Sequence, residues 1–162
     1  MRNASGKRSV RQCAAAVRRV AALAVVVPIA ASAMVAETPS TADAQMHAVA
    51  IANALSAAAK VQAAVIAYRQ HHKEFPSSNQ EAAIKPPAAF MTADVKGITV
   101  RDAGVVEVTL TGSSGVDDGS IVLTPTLAND PDSLKIDWTC ASPSYATIAD
   151  ITGGVCEYTK QP

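Results

Sequence analysis

The sequence predicts an α+β domain: a long amphipathic helix packed on a four-stranded antiparallel sheet and finished by a C-terminal disulfide loop. Three observations carry this. An alanine-rich stretch from Gln45 to Lys73 places apolar residues at steps of three and four. Four runs between Ile98 and Thr139 then alternate with a period of two. Two cysteines, Cys140 and Cys156, bracket the last segment with fifteen residues between them.

In the helical stretch Ile51, Leu55, Ala58, Val61 or Gln62, Val65, Tyr68 and His72 form one stripe, and Asn53, Ser56, Lys60, Ala63, Ala67 and Gln70 take the other face. Alanine is the strongest helix former. His71, His72 and Lys73 put basic groups in the last turn, and Pro76 prevents continuation. At about 1.5 Å per residue the helix is ~43 Å long, enough to lie across a whole sheet. Ser78-Asn79-Gln80-Glu81 has the form of a capping box and predicts a brief helix over 79–84, stopped by Pro86-Pro87.

The strands follow. Ile98 and Val100; Val106, Val108 and Leu110; Ile121, Leu123 and Leu127; and Leu134, Ile136 and Trp138 each alternate with outward residues. Asp102-Ala103-Gly104, Gly112 to Gly119 and Ala128 to Asp132 supply the turns. Short connections imply consecutive antiparallel pairing. One helix and one sheet, each with a single apolar face, must cover each other. The expected core is Ile51, Leu55, Val61, Val65, Tyr68, Val108, Ile121, Leu123, Ile136 and Trp138. Pro125 marks a point where the third strand is bulged or near an edge.

Upstream, residues 1–33 read as a secretory signal. Arg2, Lys7, Arg8, Arg11, Arg18 and Arg19 form a basic region, Val20 to Ala33 is apolar, and Ala31-Ser32-Ala33 is a small-x-small cleavage site. The apolar stretch falls short of the roughly 20 residues that span a bilayer. Ala42-Asp43-Ala44 offers a second cut, so the mature start is expected at 34 or as late as 45. Residues 34–44 then form a polar linker, and 45–162 the domain. The full chain balances 14 basic against 14 acidic side chains. Cleavage after Ala33 removes six basic groups and no acids, leaving a net charge of −6. That excess of acids argues against nucleic-acid binding and against a stable membrane association after cleavage.

Little in the chain suggests chemistry. His71 and His72 are adjacent on a helix, about 100° apart, so they do not converge on one metal ion. Asp117-Asp118-Gly119 and Asn129-Asp130-Pro131-Asp132 lack the alternating oxygens and distal glutamate of a calcium loop, and read as turns. There is no Gly-x-Ser-x-Gly and no phosphate-cradling glycine loop. No catalytic residue, metal or cofactor is expected. Cys13 leaves with the signal, so Cys140 and Cys156 remain as an even pair in an exported protein, the setting in which disulfides persist. A zinc site is the competing reading and would need two further ligands. The nearest histidine, His72, is more than sixty residues away.

Several segments carry a family likeness: Ala54-Leu55-Ser56-Ala57-Ala58-Ala59-Lys60, Val65-Ile66-Ala67-Tyr68, Phe75-Pro76-Ser77-Ser78-Asn79, and the strand Ile136-Asp137-Trp138-Thr139-Cys140 with Cys156. In this order and spacing, from about Gln45 to Cys156, the chain resembles the globular head of a type IVa pilin. The resemblance implies the helix-on-sheet fold, the disulfide, a structural or adhesive role and no catalysis. The N-terminus departs from that family: no glycine stands between Arg8 and Gly97 to mark prepilin cleavage, and Pro28 interrupts the apolar stretch.

The expected function is an exported, pilin-like structural or binding module acting in cell adhesion or with type IV pilus components, in the periplasm or outside the cell. Two other readings stand beside it: a true pilus subunit that keeps its apolar leader, and a periplasmic inhibitor or chaperone-like protein that reuses the fold. Recognition of a protein or cell-surface receptor is expected on the disulfide loop, through Ser142, Ser144, Tyr145, Thr147, Asp150 and Thr152, because loops on a rigid scaffold usually carry it. Tyr145 is the preferred exposed contact, being large, rigid and amphipathic.

Overall fold

A computed structural model describes residues 41–128 and 135–160. The expected signal segment 1–33, most of the linker, and the 129–134 part of the acidic turn and fourth strand lie outside the described residues.

Helix α1 spans Thr41–His72, so it begins four residues before the expected start. Its buried face is Ala50, Ile51, Ala54, Ala58, Val61 and Val65. Half of these are alanines, which let the helix backbone lie close on the sheet. The helix stops at Lys73, whose φ of 64° is left-handed and whose N–H donates to the Arg69 carbonyl at 2.9 Å. That bond is the αL termination, made here without the usual glycine. Pro76, fully buried, follows.

The sheet comprises β1 (Val95–Val100), β2 (Val106–Leu110), β3 (Ser120–Leu127), β4 (Ile136–Ser142) and β5 (Cys156–Tyr158), in that spatial order. The first four strands form the expected antiparallel meander. The fifth was not foreseen: three residues beyond the disulfide loop pair parallel with β4. A run so short carries no period of its own, and the cross-link places it. Pro125 sits opposite Trp138, two residues past Leu123, the last β3 residue paired with β2. On its β2 side the strand is therefore an edge at that point, and the missing N–H costs the ladder nothing.

The core differs from expectation in its lateral position. Ile51, Val61, Val65, Val108, Ile121 and Leu123 are buried as expected, joined by Ile98, Val100, Val106 and Leu110. Leu55 and Trp138 pack only at the margin, and Tyr68 and Ile136 are half-buried. The cause is where the helix lies: α1 runs chiefly over β1 and β2, leaving Trp138 on β4 to one side.

The connection from α1 to β1 is also different. Residues 79–83 form turns, not a short helix, and a 3-10 turn follows at Pro87–Phe90. Half of the expected capping box is present, since the Glu81 N–H donates to Ser78 Oγ at 3.2 Å. The Glu81 carboxylate instead accepts from the Ser77 N–H at 2.7 Å, one residue earlier, so the box never closes on a helix.

Candidate recognition surface

The disulfide joins Cys140 at the end of β4 to Cys156 at the start of β5, with Cα atoms 4.4 Å apart. The two residues are also register partners in the parallel ladder. Between them the chain turns at Ser142–Tyr145, runs through the five-residue helix α2 (Ile148–Thr152), and returns through Gly153-Gly154. Ile148 is fully buried and fastens α2 to the body.

Most of the expected contact residues hold this loop together and do not face outward. Ser142 is fully buried; its Oγ donates to the Ser120 carbonyl at 2.6 Å and accepts from the Ser144 and Tyr145 N–H groups. Ser144 Oγ accepts from the Ser120 N–H at 3.0 Å. Thr152 Oγ1 donates to the Ile148 carbonyl and accepts from the Cys156 N–H, closing α2 onto the disulfide.

Tyr145 corrects the expectation most clearly. Its side chain is only 5 % exposed. The hydroxyl lies 2.5 Å from Ser114 Oγ and donates to the Val116 carbonyl at 3.4 Å. A Cβ at Gly119 would collide with that hydroxyl, so only glycine admits the ring there. Burial pushes the phenol pKa above its ordinary value, against a smaller downward pull from the Ser114 hydrogen bond. The tyrosine that looked like an exposed anchor is a core residue with a satisfied polar end.

What faces outward is Thr147 and Asp150, with Val155 (70 % exposed), Glu157 and Tyr158 (43 %) beside them. The last three were missed because they belong to, or adjoin, the fifth strand. The surface thus offers two carboxylates, one aliphatic hydroxyl, a branched apolar side chain and a phenol on a cross-linked frame.

The other readings of polar residues are resolved by their neighbours. Asp117 and Asp118 both pair with Lys96 of β1 at 2.8 Å, which ties the turn to the sheet. The Lys96 hydrogen bond holds the Asp117 carboxyl below its usual range. His72 stacks on Tyr68 with ring centroids 4.1 Å apart. Among the described residues no three His, Cys, Asp or Glu side chains gather as a metal site.

Comparison with known families supplies the decisive observation: the model of the pilins, proteins of bacterial filaments, matches residues 49–152. The chain belongs to the pilin family. The match covers α1 from its third turn, β1 to β4 and all of α2. It stops before Cys156, so the disulfide's second half and β5 lie outside it. No curated protein matches the chain. Pilins are structural proteins of filaments, and membership links this chain to pilus components and to export.

Proposed function

We propose that this pilin is an exported structural and binding module that acts in cell adhesion together with pilus components, and that it is not an enzyme. The observation that carries the reading is the family match over a helix-on-sheet head whose C-terminal loop is cross-linked and faces outward. A signal over residues 1–33, cut there or as late as 44, would deliver it across the inner membrane. The contact face is Thr147 and Asp150 with Val155 and Tyr158. Because the disulfide and Ser142 fix the loop beforehand, little ordering is needed on binding. The test joins fractionation to adhesion. The tagged chain should appear in the sheared-pilus or periplasmic fraction, and Thr147→Ala with Asp150→Ala should lower cell attachment while leaving melting unchanged. Full attachment by that folded variant would place recognition elsewhere. The groove of about 570 Å³ lined by Asn79, Ile84, Pro87 and Thr99 is the first alternative.

One observation favours the second reading, a filament subunit that keeps its leader. Met46 and Val49 on α1 are 60 % and 59 % exposed, and Thr41–His72 is long and apolar enough to cross a membrane by length and composition alone. Immunogold labelling along sheared fibres would favour the subunit; label confined to the soluble periplasm would favour the module.

A further inference from the structure

We propose that the disulfide loop, the turn between β2 and β3, and the N-terminal part of α1 open as one cooperative unit, with Tyr145 as the latch that joins them. The loop is fastened to the 114–120 segment at three points. Tyr145 meets Ser114 at 2.5 Å, Ser142 Oγ donates to the Ser120 carbonyl at 2.6 Å, and the Ser120 N–H donates to Ser144 Oγ at 3.0 Å. Ser114 is itself only 2 % exposed, and its Oγ lies 2.8 Å from the Thr111 carbonyl and 3.2 Å from that of Val116. The latch therefore engages the centre of the turn.

The opposite side of the same turn grips the helix. Gly115 has a φ of 89°, and a Cβ there would come within 2.9 Å of the His47 imidazole, so that ring packs directly on the backbone. Two residues earlier, Ser113 Oγ donates to Asp94 at 2.9 Å, and the other Asp94 oxygen accepts from Asn53 Nδ2 at 2.8 Å. Residues 47 and 53 of α1 are thus tied to the turn that Tyr145 holds. The far end of α1 is held separately, through Phe75 packed on Gly104 and the Gly104 N–H donating to the Pro76 carbonyl.

Segments joined by a few shared buried contacts tend to open together. Two outward surfaces, Thr147–Asp150 on the loop and Met46–Val49 on the helix, lie on the same unit. A partner that stiffens one therefore stabilises the other, and the effect is reciprocal. This coupling does not depend on what either surface binds.

Native-state hydrogen exchange on the purified full chain tests it, with Tyr145→Phe, Ser114→Ala and the double variant Cys140→Ser, Cys156→Ser. Tyr145→Phe keeps the ring and removes one buried hydrogen bond. The amides of 111–119 and of 44–53 should both exchange about fivefold faster, while those of β1 beyond the Lys96 ion pairs, residues 97–100, stay as in wild type. Ser114→Ala removes the same bond from the other side and should speed the same two segments. The double cysteine variant should speed them together with 148–158. Acceleration limited to 111–119, with 44–53 unchanged, would overturn the coupling. Equal acceleration in every segment, β1 included, would also overturn it, since the unit would then be the whole domain.

Discussion

Asn79 offers the sharpest test of how this fold protects its open edge. β1 is the outermost strand on its side of the sheet, and such a strand presents unpaired N–H and C=O groups. The Asn79 side chain, 7 % exposed, takes the place of a neighbouring strand there. Its Nδ2 donates to the Ile98 carbonyl at 2.9 Å, and its Oδ1 accepts from the Val100 N–H at 2.6 Å. The second Nδ2 proton goes to the Lys85 carbonyl at 2.9 Å, pinning the connection that covers the strand. Asn79→Ala removes all three bonds and leaves the buried Val100 N–H without its acceptor. At roughly 1 kcal/mol per bond, with more for an orphaned donor, the loss should be about 3 kcal/mol. For a domain of this size that lowers the melting temperature by about 10 °C. Asn79→Asp, nearly the same shape, keeps the bond to Val100 but sets an anion against two carbonyls, so at pH 7 it should be at least as damaging. Thermal melts followed by circular dichroism measure both. A shift below about 2 °C in Asn79→Ala, or an aspartate variant as stable as wild type, would show that Asn79 is not acting as the edge's partner.

Three further outcomes follow from the same packing. Cys140→Ser with Cys156→Ser opens a loop of sequence separation 16 and should lower stability by ~3 kcal/mol in denaturant titration, with the helix and the β1–β4 meander intact by circular dichroism. Trp138→Ala, at the margin of the core, should cost clearly less than the ~3–5 kcal/mol of a fully buried aromatic, whereas the fully buried Ile98→Ala should cost ~2–5 kcal/mol; equal losses would contradict the off-centre position of the tryptophan. Burial raises the Tyr145 pKa in the folded state, so the unfolded chain loses that proton first as pH passes about 10; stability should fall from there upward, and Tyr145→Phe should flatten that part of the profile.

The elements that could be read from the chain are those whose own residues report their surroundings. The stripe from Ile51 to Val65 and the alternation through Val106, Val108 and Leu110 each declare a face, and the structure buries those faces. Lateral placement cannot be read that way. Nothing in the period of β4 reveals that the helix crosses β1 and β2, so Trp138, the largest side chain in the sequence, looked central and lies at the side. Tyr145 illustrates the same limit at the candidate surface. A lone tyrosine among serines and alanines has the composition of an exposed contact. It is buried because Gly119, twenty-six residues earlier, leaves room for its hydroxyl, and Ser114 meets it. The signal was present in the sequence as a glycine at the end of a turn, but only the sheet register brings that glycine opposite the loop. The proposed contacts Thr147 and Asp150 are exposed beside these buried residues. Exchanging Tyr145 for a smaller side chain should disturb binding by loosening the loop, without removing any group that touches the partner.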